Sequence, residues 1–100
     1  MVKHIVMWKF KESAEGKSKE ENMAFVRDSL YALQGVIDEI KNMEVGIDIT
    51  QSDASMDLAL VTEFESVDTM KVYAVHPEHV KVAGYIRKVT ESRVVLDYDM

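Results

Sequence analysis

The sequence predicts an α+β fold: a four-stranded antiparallel sheet in split βαβ order, with its helices on one face. Three observations predict it. Apolar alternation with a period of two marks strands near residues 2–10, 43–49, 58–64 and 94–98. Apolar steps of three and four mark a long amphipathic helix between the first two strands and two shorter helices between the last two. The resulting order, strand–helix–strand–strand–helix–helix–strand, is the ferredoxin-like arrangement, whose right-handed crossovers bring every helix to the same face.

The elements follow in order. In the opening strand Val2, His4, Val6, Trp8 and Phe10 share one face, and Lys3, Ile5, Met7 and Lys9 the other. Its centre is apolar on both faces, so both are expected to be covered. Ser13 to Lys17 reads as a polar break. Ser18-Lys19-Glu20-Glu21 matches a capping box, and Met23, Val26, Leu30, Leu33 and Ile37 form the helix stripe behind it. Gly35 is placed to close that helix in a left-handed cap, with a short turn over 36–40. Met43, Val45, Ile47 and Ile49 alternate as a half-buried strand, and Thr50 to Met56 is turn-like. Leu58 to Phe64 is the third strand. Ser66 is the expected N-cap of a helix running to about Val75, with Met70, Tyr73 and Ala74 on its inner face. His76 precedes Pro77 and is pushed out of helical angles, so that helix stops there. Pro77 opens a new one, to about Lys88. Val94, Leu96 and Tyr98 mark the last strand.

The chain's 100 residues fit one domain over 1–100. No apolar run approaches the ~18 residues of a membrane helix, and no signal-peptide pattern opens the chain, so a cytoplasmic protein without membrane association is expected. The absence of cysteine excludes disulfides, thiolate nucleophiles and cysteine metal sites. Twelve basic against eighteen acidic residues, a net charge of −6, disfavour nucleic acid as a partner. Helices on one face leave Ile5, Met7 and their neighbours bare. The expected remedy is a second copy packed sheet to sheet, a homodimer.

Three polar side chains interrupt apolar patterns. His79 is third in its helix, and Val82, Ala83 and Ile86 follow at +3, +4 and +7, so it points with the apolar stripe. A helix start and burial both favour neutral imidazole, a competent general base. It is equally a histidine that merely packs. Tyr73 lies on the inner face of the preceding helix, where its hydroxyl needs a partner and an imidazole is available; otherwise it is a commonplace tyrosine at the rim of the core. His4 shares its strand face with Val6 and Trp8; it is either a buried histidine bonded to backbone or a ligand contact. No Gly-rich phosphate loop and no Gly-x-Ser-x-Gly elbow is present. His76 and His79 are separated by the Pro77 break, so a three-histidine metal site with His4 is disfavoured, and no metal or cofactor is expected.

Two segments carry a resemblance. Val2-Lys3-His4-Ile5 with Lys9-Phe10-Lys11, and Tyr73-Ala74-Val75-His76-Pro77-Glu78-His79-Val80 behind Phe64-Glu65-Ser66, resemble the signatures of the stress-responsive A/B barrel family. Val95-Leu96-Asp97-Tyr98 resembles its closing strand. The resemblance spans essentially the whole chain and implies a dimeric α+β barrel. That family holds plant stress proteins, uncharacterised bacterial proteins and a few cofactor-independent polyketide cyclases. By resemblance to the cyclases, His79 and Tyr73 are the acid/base pair and His4 lines the same pocket; Val6 and Trp8, on the strand face of His4, are expected to contact the ligand with it. The plant cyclase type has a histidine in the third strand where this chain has Leu58.

Three functions therefore stay open. One is cofactor-independent acid/base catalysis on a small apolar carbonyl or carboxylate compound, of cyclase, isomerase or lyase type. Another is a structural or stress-associated homodimer in which His4, Tyr73 and His79 form a hydrogen-bond network. The third is a binding module with the same pocket and no turnover. A monooxygenase on a related barrel has only Trp8 to suggest it.

Overall fold

The computed structural model describes residues 1–100. Its strands are β1 (Val2–Phe10), β2 (Ser13–Ala14), β3 (Lys17–Ser18), β4 (Asn42–Ile47), β5 (Leu58–Phe64) and β6 (Thr90–Asp99). Its helices are α1 (Lys19–Leu33), α2 (Val67–Val75) and α3 (Pro77–Val89). The main sheet has the order β4-β5-β1-β6 and is antiparallel throughout, the ferredoxin-like α+β topology. No helix is long and apolar enough to cross a membrane.

Register decides which side chains meet. His4, Val6 and Trp8 stand opposite Thr62, Leu60 and Leu58 on one side, and opposite Asp97, Val95 and Arg93 on the other. Cross-strand partners share a face. This face carries the core: Val6, Trp8, Phe10, Met43, Leu58, Leu60 and Phe64 bury with Val26, Leu30 and Leu33 of α1, Tyr73 of α2, and Ile86 and Val89 of α3. The opposite face presents Lys3, Ile5 and Met7 beside Tyr98, Leu96 and Val94. Met7, Val94, Leu96 and Tyr98 are exposed there, so this apolar surface is unpartnered within one chain.

Both serine caps form as expected. Ser18 and Glu21 exchange hydrogen bonds of 3.2 and 2.9 Å at the start of α1, and Ser66 and Thr69 do the same at the start of α2.

Four expectations fail locally. Residues 13–18 are not a plain polar break but a hairpin, with Ser13 paired to Ser18 and Ala14 to Lys17. Its two-residue loop, Glu15-Gly16, has positive φ at both positions (53° and 74°), the pattern of a type I′ turn. The buried Asn22 donates to the Ala14 carbonyl at 3.1 Å and accepts from the Tyr85 hydroxyl at 2.6 Å, tying the hairpin to α1 and α3. Gly35 makes no left-handed cap. Helix α1 ends at Gln34 in right-handed geometry, and the chain continues as turns that bury Ile37 and Ile40. Ile49 lies outside β4 and is 91% exposed. The Asp48 carboxylate accepts from the Gln51 amide (2.6 Å) and the Thr50 hydroxyl (3.2 Å), an Asx-type turn that stops the strand first. Ala74, expected inside α2, faces solvent.

A candidate acid/base cavity

Between the sheet and the helices lies a cavity of about 310 Å³. His4, Val6 and Trp8 line it from β1, Leu60 from β5, Leu30 from α1, Tyr73 from α2, and His79, Val82, Ala83, Ile86 and Arg87 from α3, with Arg93 from β6. All five residues named from the sequence, His4, Val6, Trp8, Tyr73 and His79, therefore meet at one place.

The break between α2 and α3 sets the chemistry of His79. His76 is extended (φ −61°, ψ 133°), as a residue before proline prefers. Pro77 has no N–H. The Glu78 N–H, which in an unbroken helix would bond the Ala74 carbonyl, instead donates to His76 Nδ1 at 3.1 Å. The Ala74 carbonyl is thus left over at a helix end. His79 Nδ1 lies 3.0 Å from it. A carbonyl only accepts, so Nδ1 carries the hydrogen and, in the neutral ring, Nε2 carries the lone pair.

Burial holds the His79 pKa below the usual histidine value. The bond to Ala74 works the other way, and the nearby charges of His4, Arg93 and Arg87 add to the lowering. The ring is therefore neutral at pH 7. One linkage effect follows. A depressed native pKa means the unfolded chain binds the proton more readily, so stability falls as pH drops from about 6.5 toward the native value. His79→Gln is expected to flatten this part of a Tm-against-pH curve relative to wild type. Parallel curves over that window would show that His79 is not the group responsible.

Tyr73 is 2% exposed, and burial raises its pKa to about 12, so it stays a protonated donor. Arg93 opposes that shift weakly. Its ring centroid lies 4.3 Å from that of His79, 5.0 Å from Phe64 and 6.4 Å from His4. The Tyr73–His79 contact is ring against ring: the buried Tyr73 hydroxyl has no hydrogen-bond partner in the protein. A buried donor of this kind needs one. The hydrogen bond expected between Tyr73 and an imidazole is thus replaced by aromatic packing.

His4 is also held differently from the backbone-bonded alternative. Its Nδ1 contacts the Asp97 carboxylate directly across the β1–β6 pair. A carboxylate accepts only, so it orients the ring with Nδ1–H outward to Asp97. The Thr62 hydroxyl donates to the His4 carbonyl at 3.3 Å, fixing the backbone beneath. Asp97, Arg87 and Arg93 escaped the sequence reading. The signal for Asp97 and Arg93 was period-two alternation in β6, which becomes informative only once the register with β1 is known. His76 stays outside the cavity as the cap of α3, and no three acidic or histidine side chains cluster in metal-binding geometry.

Comparison with known proteins agrees with this architecture. A model of the stress responsive A/B barrel domain matches residues 2–100. Olivetolic acid cyclase of Cannabis sativa is 32% identical over 99 residues, covering 97% of this chain and 94% of that protein. A dimeric protein of unknown function from Bacteroides fragilis, described as having a ferredoxin-like fold, is 33% identical with a TM-score of 0.84, over 99% of this chain and 95% of that one. Hydroxynitrile lyase from Passiflora edulis, 24% identical, shares the fold with a TM-score of 0.81 over 97% and 90% of the two chains.

Proposed function

The chain belongs to the stress responsive A/B barrel domain family, and from that premise we propose that its cavity is a cofactor-independent acid/base site acting on a small apolar carbonyl or carboxylate compound. His79 is the base. Its Nε2 takes a proton from a carbon next to a carbonyl; the C–H pair becomes the enolate double bond, and the carbonyl π pair moves to oxygen. Tyr73 donates its hydroxyl to that developing oxyanion. His4, held by Asp97, binds a polar end of the ligand, and Val6 and Trp8 pack its apolar body. The enolate can then close a ring, return its proton elsewhere, or expel a group, the cyclase, isomerase and lyase outcomes. The similarity to a cyclase supports the first. The protein works as a single domain over 1–100 and as a cytoplasmic homodimer closed over the bare sheet face.

One observation carries this reading: a neutral histidine with its lone pair on Nε2 lines an apolar cavity beside a buried hydroxyl that no protein group satisfies. The test is deuterium incorporation from D2O at the α-carbon of simple aryl and alkyl ketones and keto acids, followed by proton NMR. Exchange above the buffer rate is expected. Exchange no faster than buffer across the panel would overturn the reading.

Tyr73→Phe separates this from the alternative, a non-catalytic homodimer in which the three residues form a structural network. A network member leaves a partner unsatisfied when removed, at ~1–3 kcal/mol and several degrees of Tm. The acid/base reading expects Tm nearly unchanged, because the ring contacts survive and no protein hydrogen bond is lost. Exchange is expected to slow by roughly 10²-fold or more, as for loss of an oxyanion donor.

A further inference from the structure

Of the twelve basic side chains, nine make a hydrogen bond, an ion pair or a contact over an aromatic face. Lys71, Arg87 and Arg93 make none. Two of these three, Arg87 and Arg93, line the same cavity. That distribution runs against the chain as a whole, which is acidic by six charges. The cavity wall contains no Asp or Glu, and Asp97, which shares the helix-side face of β6 with Arg93, is engaged by His4.

Register explains how an arginine comes to stand there. Arg93 pairs with Trp8 across β1–β6, and Asp97 pairs with His4. Both project from the helix-side face of β6, four residues apart, roughly 13 Å at ~3.3 Å per residue. One cavity is therefore lined by both an oriented histidine and an unpaired guanidinium, with Val6, Leu60 and Ile86 among the apolar wall residues. A guanidinium presents a planar fork of donors that matches a carboxylate in two parallel hydrogen bonds.

We propose that Arg93 is the anion anchor of this cavity, holding the carboxylate of a small apolar acid, with Arg87 on the same wall as the supporting charge. The site therefore takes carboxylic acids in preference to their neutral analogues. This deepens the function proposed above and rests on the cavity being a ligand site; it names the substrate class. With the acid group fixed at Arg93, the apolar body lies along the wall toward Tyr73 and His79. The anchor thereby sets which carbon of the ligand reaches the base.

Binding, not turnover, tests this. Hexanoate, 3-phenylpropanoate and 4-propylbenzoate, each with its primary amide and methyl ester, are titrated into the full-length protein by thermal shift and calorimetry. The wild type is expected to bind at least one acid about tenfold or more tightly than its amide, the scale of a charge-assisted pair. Arg93→Leu is expected to lose that preference by weakening the acid and leaving the amide unchanged, and Arg93→Lys to keep part of it. Arg93 is exposed on an edge strand, so both variants are expected to fold. Equal binding of acid and amide by wild type would overturn the proposal. So would an acid preference that survives Arg93→Leu, equal stabilisation by inorganic phosphate alone, or no binding by any acid. Deuterium exchange into a neutral ketone reports on His79 separately. A positive exchange assay with no acid preference sinks the anchor alone, and acid-selective binding without exchange sinks the catalytic reading alone.

Discussion

His79→Asn is expected to fold normally and to lose α-proton exchange by roughly 10²- to 10⁴-fold, the range for removing a positioned general base. The reason for choosing asparagine is geometric. Its amide nitrogen is bonded to Cγ as Nδ1 is, so its N–H can still donate to the Ala74 carbonyl, as His79 Nδ1–H does at 3.0 Å, and the α2–α3 junction keeps its bond while the basic nitrogen is gone. Full exchange in this variant would remove His79 from the mechanism. The pH profile gives a second check on the same residue. Because burial depresses its pKa, the acid limb of kcat/KM is expected below 6.5. A limb at or above 6.5 would assign the titration to another group.

Leu96→Glu is expected to split the homodimer proposed above. Leu96 is 59% exposed in the single chain and stands opposite Ile5, at the centre of an apolar patch with Met7, Val94 and Tyr98. Its neighbours in the register on β5, Val61 and Ala59, are likewise apolar. Such a face is a large liability unless another surface covers it. The solved relative from Bacteroides fragilis is described as dimeric. Light scattering of the wild type is expected to give twice the chain mass at micromolar concentration. In the variant each protomer places an unpaired carboxylate in the seam, at about 3–5 kcal/mol for an uncompensated buried charge. That weakens association by at least about 10²-fold. A monomeric wild type, or a dimeric Leu96→Glu, would show that this face is not the seam. A control at Ile49, which is 91% exposed and away from the patch register, is expected to leave the mass unchanged.

The candidate site was legible in the sequence to an uneven degree. Tyr73 and His79 stood out because Pro77 places a helix break between them and because apolar spacing shows which way each helix faces. His4 stood out because it interrupts an apolar strand face. Their bonding partners were not legible. The tautomer of His79 depends on a carbonyl orphaned by the same proline, and only the path of the chain at His76 shows that the Glu78 N–H goes elsewhere. Asp97 lies 93 residues from His4 in sequence, and no local pattern joins them. Arg93 reads locally as one more surface charge.

The sequence by itself determined the elements and their order, the caps at Ser18 and Ser66, the break at Pro77 and the face on which His4, Val6 and Trp8 stand. Each of these depends on neighbours within about one helical turn or one strand repeat, where periodicity, capping and proline stereochemistry act directly. Tertiary structure alone decided the Glu15-Gly16 hairpin, whose loop lacks the usual Asn-Gly or Asp-Gly signal and which Asn22 and Tyr85 anchor. It decided that Tyr73 packs against His79 without bonding to it. It also decided the strand register that sets Asp97 beside His4 and Arg93 beside Trp8. A one-residue slip of β6 would turn both side chains to the opposite face. Register is chosen by the packing of the whole sheet against its helices, and the charge character of the cavity follows from that choice.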